Sequence, residues 1–111
     1  MTRAIHQLLP VFSYGDAIGG AALRTRALLR ELGYRSEIFA GLVDPRLRRD
    51  GRPAAGLLER DAVGGDDAVI YHLSVGSPVA GVFAQVPCRR VLWFHNITPP
   101  EYYRTVNPGV A

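Results

Sequence analysis

The chain alternates between short apolar runs and stretches whose apolar residues recur at helical spacing. Ile5 to Leu9 is the first apolar run and lies within a strand predicted over residues 3–9. Ile18, Ala21, Ala22, Leu28, Leu29 and Leu32 then gather on one side of a helix, while Arg24, Arg26, Arg30 and Glu31 fall largely elsewhere. This predicts a helix over residues 18–32, and Gly33 directly after it is a good stop, because glycine takes the left-handed conformation that closes a helix. Residues 34–40 read as a second strand ended by Gly41. The polar stretch VDPRLRRDGRP reads as a loop broken by Pro45 and Gly51. Residues 54–60 read as a short helix weakened by Gly56, and Gly64 with Gly65 as a turn.

The second half repeats the alternation. Residues 68–73, AVIYHL, are apolar and β-branched at their start, which predicts a strand buried on both faces. Residues 78–86 read as a short apolar helix, with Pro78 at its first position and Ser77 as its cap. Residues 90–94 read as a fourth strand, and a last helical turn, EYYR, follows Thr98. Strands alternating with helices predict one α/β domain over residues 1–111: a Rossmann-like, three-layer arrangement with a mostly parallel sheet of about four strands.

Composition narrows the function without naming it. The net charge of +3 comes from arginine alone, since the chain has no lysine. The arginines are scattered and no aromatic residues interleave with them, which argues against a nucleic-acid groove. Two readings of this surface stay open: a solvated face, or a face toward an anionic membrane or substrate. Cys88 is the sole cysteine, so no intrachain disulfide and no cysteine-based metal set is expected. No run has signal-peptide or membrane-spanning character, so the default expectation is a cytoplasmic protein.

Candidate chemistry collects where strands end. In an open parallel sheet, ligands bind outside the carboxyl ends of the strands. Here those ends carry Tyr14, Gly15 and Asp16, then Asp44, then His72 and Ser74, then His95 and Asn96. The first strand runs into Gly15-x-x-x-Gly19-Gly20 and a helix. Such a turn can cradle a phosphate on free backbone N–H groups. It can equally be a plain turn, with Asp16 as N-cap and glycines easing helix–sheet contact. The spacing is neither G-x-G-x-x-G nor a P-loop. His72 can be a core histidine or a site residue. His95, held by Asn96, Thr98 and two prolines, is better placed to meet a sugar hydroxyl or developing charge. His6 and Cys88 read as structural. No paired carboxylates at strand ends, no G-x-S-x-G elbow and no metal-site spacing occur.

The segments LLPVFSYGDAIGG, YRSEIFAG, DPRLR, VIYHLSVGSP and RVLWFHNITPPEYY, in this order, resemble the N-terminal half of family-4-type glycosyltransferases of the GT-B fold. The resemblance implies a hexosyl transfer from a nucleotide sugar to a hydroxyl acceptor, without a metal or other cofactor. It implies that His95 acts catalytically beside the donor sugar. Gly15, Asp16, Gly19 and Gly20 match the phosphate-side loop, and His72 and Ser74 a turn lining the cleft; Tyr14 and Asn96 join them as substrate-binding residues. The family's C-terminal half, with its basic phosphate contacts and E-x7-E motif, has no counterpart in these residues. A donor domain is therefore expected in the same or another chain, and the 111 residues alone are expected to be inactive and prone to self-association. A non-catalytic Rossmann-like module that binds a nucleotide or a partner is the alternative. A dehydrogenase-like domain fits less well, because Ala40-Gly41 stands where an acidic residue would hold a ribose.

Overall fold

The computed structural model describes residues 3–73 and 78–94. Strand β1 spans Ile5–Phe12, helix α1 Ala17–Glu31, β2 Ile38–Val43, β3 Gly51–Pro53, β4 Ala68–Leu73, helix α2 Ala80–Gln85 and β5 Arg89–Phe94. Two short 3-10 turns, Pro45–Leu47 and Ala54–Leu58, flank β3. The sheet is all parallel, in the order β3-β2-β1-β4-β5. The α/β, Rossmann-like class read from the sequence is what the chain forms. The strand count is five rather than about four. The extra strand, β3, has three residues, and two of them are Gly51 and Pro53, the signals that mark a loop. Proline is tolerated there because β3 is an edge strand.

Both sheet faces are covered near the centre. Leu8 of β1 stands level with Phe39 of β2 and Tyr71 of β4. These three pack with Leu57, Val79 and Val86 on the α2 side. Leu9, Phe12, Ile38 and Ala40 pack with Ala22 and Leu47 on the α1 side. Helix α1 begins at Asp16, whose side chain accepts from the Gly19 N–H, and ends as expected at Gly33. Gly33 has φ +96°, and the Tyr34 N–H reaches the Leu29 carbonyl while the Gly33 N–H reaches that of Arg30.

Other expectations are corrected. Gly41 does not end β2 but sits inside it. A Cβ there would lie 2.8 Å from the Pro10 carbonyl oxygen and from Val79 Cγ1, so this crossing needs glycine. Residues 35–37 run beside the start of β1, with Ala4 and Arg35 forming an isolated bridge. Leu28 and Leu32, placed on the apolar face of α1, are exposed. Helix α2 begins at Ala80 rather than Pro78, and its N-cap position is Val79, with no side-chain cap bond. Ser77 and the EYYR turn lie outside the described residues.

Candidate functional site

From β1 the chain crosses to β2 on one side, and β4 lies on the other. The carboxyl ends of β1 and β4 therefore flank the point where the connections diverge, which is where ligands settle in open α/β sheets. A hollow of about 370 Å³ opens at that edge, lined by Ser13, Tyr14, Gly15, Asp16, Gly19, Gly20, Leu23 and Leu47. All five site residues predicted between positions 14 and 20 line it.

The loop's hydrogen bonds limit what it can bind. The Asp16 carboxylate oxygen Oδ1 accepts from the Gly19 N–H, and the Gly20 N–H donates to the Asp16 carbonyl at 3.0 Å. Both glycine amides are thus engaged inside the helix cap. Gly19 has a packing reason as well: a Cβ there would lie 2.6 Å from the Ser13 carbonyl oxygen. Gly15 takes φ +81°, which turns the strand into the helix. Among the described residues, no bond occupies Asp16 Oδ2 or the N–H groups of Ala17 and Ile18. Of these groups, only Asp16 Oδ2 belongs to a residue that lines the hollow.

The rim contains an arrangement that local sequence signals did not reveal. Asp44, after β2, accepts from the Tyr14 N–H at 3.4 Å and from the Arg46 N–H at 2.9 Å. Its carboxylate pairs with the Arg46 guanidinium, whose carbon lies 4.4 Å from the centre of the Tyr14 ring. The side-chain bond from Arg46, followed by its backbone bond, holds the Asp44 carboxyl below the usual range. Tyr14 is exposed, and Arg46 covers one face of its ring.

His72 is fully buried. Its Nε2 lies 2.7 Å from Gln7 Oε1, and Gln7 Nε2 donates to the Ala22 carbonyl at 2.9 Å. The Ala22 carbonyl can only accept, so Gln7 turns its amide nitrogen there and its oxygen to His72. Nε2 of His72 therefore carries the proton. The ring also packs on Trp93, with centroids 4.7 Å apart. These contacts tie β4 to β1, α1 and β5, and they direct His72 into the α1-side layer. The structure brings together Tyr14, Gly15, Asp16, Gly19 and Gly20, and sets His72 below them in the core. Ser74, His95 and Asn96 lie outside the described residues.

The opposite, amino edge of the sheet holds a charged cluster. Arg30 and Arg52 both bond Glu37 at 2.9 Å, around a hollow of about 530 Å³ that His6, Arg35 and Asp61 also line. Glu37 is held below the usual carboxylate range: burial opposes this, and Arg52 with Arg30 outweigh it. His6 Nδ1 accepts from the Glu37 N–H at 3.1 Å. Burial first, then the charge of Arg35, lowers the His6 pKa, against smaller opposite pulls from Asp67 and Glu37. The neutral ring is thus the folded form, and its stabilisation is lost as pH falls below the ordinary value of 6.5. Unfolding by urea is expected to show stability falling as pH drops below 6.5, with His6→Gln flattening that slope. An unchanged slope in the variant would remove His6 as its source.

Among the described residues, no helix is long and apolar enough to cross a membrane. Comparison of the chain with protein-family models, with curated proteins and with solved structures returned no match.

Proposed function

We propose that the chain is the acceptor-side, N-terminal part of a glycosyltransferase of the GT-B kind, serving transfer of a hexosyl unit from a nucleotide sugar to a hydroxyl acceptor. The observation that carries this reading is the hollow beyond the carboxyl end of β1, between the β1–α1 turn and Leu47 after β2, with Asp16 in its lining. The resemblance of the strand-end segments supplies the reaction class. The geometry changes the role first expected of the glycine loop. Gly19 and Gly20 have no amide left for a leaving diphosphate. A carboxylate there is a poor partner for phosphate and suits a hydroxyl, which can donate to Oδ2. Tyr14 then offers an apolar ring beside a sugar. The diphosphate falls to a donor domain, and His95 keeps the role beside the donor sugar that the resemblance implies.

Asp16→Asn tests this directly. Asparagine caps a helix about as well as aspartate, so the fold is retained while the charge is removed. In the complete enzyme, read from the source DNA past the codon for Ala111, kcat/KM for the acceptor should fall about tenfold, the loss of one charge-assisted hydrogen bond. Hydrolysis of the donor without acceptor should stay unchanged. Tighter nucleotide diphosphate binding in the variant would instead return the loop to the phosphate. A stop codon directly after Ala111, with no partner gene carrying E-x7-E, would favour the non-catalytic module. That second reading has one observation on its side: His72 and both glycine amides are engaged in internal bonds.

A further inference from the structure

The hollow of about 530 Å³ at the amino edge of the sheet has no part in the proposed reaction. His6 near the start of β1, Glu37 just before β2, Arg52 in β3 and Arg30 in the last turn of α1 all line it. None of these residues belongs to the site at Asp16. The acceptors of this wall are already taken. Glu37 gives Oε1 to Arg30 Nη2 and Oε2 to Arg52 Nε, both at 2.9 Å. The Ser36 carbonyl accepts twice from Arg30. Asp61, the other carboxylate of the lining, has a side chain 93% exposed and stands 4.0 Å from Arg60.

Donors, by contrast, remain. Among the described residues, no bond engages Arg30 Nη1 or Arg52 Nη1 and Nη2. His6 adds a donor of another kind. Its Nδ1 accepts from the Glu37 N–H, and a backbone amide can only donate, so the neutral ring carries its proton on Nε2. His6 is only 5% exposed, and among the described residues its Nε2–H has no partner. A donor on so buried a side chain is costly to leave unpaired, and the hollow is where an acceptor can reach it.

We propose that this hollow holds a phosphate group, either free or as the ester of a small molecule. Every phosphate oxygen is an acceptor, which is what the wall lacks. Arg30, Arg35 and Arg52 outnumber the carboxylates of Glu37 and Asp61 in the lining, so its charge favours an anion. Glu37 shares its charge between two guanidiniums and holds both in place. The free donors start from α1, β1 and β3 and so come from different sides. That suits the tetrahedral spread of phosphate oxygens, whereas a planar carboxylate is met by the fork of a single arginine. The volume exceeds that of the ion alone, and Phe39 and Ala62 add apolar lining, which leaves room for the organic part of an ester.

Isothermal titration calorimetry of the complete protein with phenyl phosphate, inorganic phosphate and acetate, at one fixed ionic strength, tests this. At least one of the two phosphates should bind with a Kd below about 1 mM, and acetate at least about tenfold more weakly. Tighter binding of phenyl phosphate identifies an ester as the occupant, and tighter binding of inorganic phosphate the free ion. Arg52→Gln should weaken phosphate binding at least about tenfold, the loss of a charge-assisted contact. The Arg52 side chain is 61% exposed, so circular dichroism should be unchanged. His6→Phe keeps a ring against Phe39, removes the Nε2–H and should weaken binding about fivefold. Arg24→Gln, on α1 outside the lining, should leave binding unchanged. Absence of binding by both phosphates overturns the proposal. So does acetate binding as tightly as phosphate, binding that neither Arg52→Gln nor His6→Phe weakens, or a loss in Arg24→Gln equal to that in Arg52→Gln.

Discussion

Gln7→Leu should lower the unfolding free energy by about 2–3 kcal/mol, the cost of leaving buried polar groups without partners. Gln7 is fully buried in the central strand, and its amide spans two layers of contact, Ala22 on α1 and His72 on β4. Leucine fills similar space but strands the His72 Nε2–H and removes one bond from the Ala22 carbonyl. Guanidinium titration should show a lower midpoint with an unchanged slope, the mark of lost stability without a change in exposed surface. The double variant Gln7→Leu/His72→Phe should recover a good part of the loss. Removing both partners together leaves neither end of the Gln7–His72 bond unsatisfied, and phenylalanine can keep the packing on Trp93. A neutral Gln7→Leu would show that the pair contributes nothing to the fold, and His72 would then return as a candidate for chemistry.

Asp67→Ala should cost about 3 kcal/mol, because two backbone donors lose their acceptor at once. One oxygen of Asp67 accepts from the Ala4 N–H at 2.8 Å, and the other from the Gly64 N–H at 2.9 Å. Ala4 is fully buried, so its N–H has no access to water once the carboxylate is gone. The same carboxylate sets an acid limit. Burial acts to raise its pKa, but the Gly64 and Ala4 bonds with the charge of Arg35 lower it below the ordinary 3.8. The folded state therefore prefers the ionised form. That stabilisation is complete above the ordinary aspartate range and is lost as pH falls through the depressed folded value, below about 4. Thermal melts of the parent chain should lose stability steeply there, and Asp67→Ala should start lower and lose less. Equal acid slopes in the two proteins would refute the assignment.

Both variants act on links between β1 and β4, and such links are where local reading of the chain stopped. Gln7 and His72 are 65 positions apart, and Ala4 and Asp67 are 63. Neither pair has a spacing that marks it. The candidate hollow was more accessible to sequence reasoning, since five of its residues lie in the one stretch between Tyr14 and Gly20. What that stretch did not reveal is which groups remain open. The cap at Gly19 belongs to the carboxylate of Asp16, and Asp44 with Arg46 reach the rim from beyond β2. The charged cluster at the amino edge was invisible for the same reason: Arg30 lies in α1, Glu37 just before β2 and Arg52 in β3.

The amino-acid sequence by itself determined the α/β alternation, the body of α1 with its stop at Gly33, and β4 to the residue. These follow from side-chain direction along the backbone, which repeats every 3.6 residues in a helix and every second residue in a strand, and so is written locally. The tertiary structure decided the strand order, the capture of β3 as an edge, the extension of β2 through Gly41, and the exposure of β5. Each of these depends on which elements become neighbours. A three-residue strand has no period to read, and whether a strand is covered is a property of what packs against it rather than of its own residues.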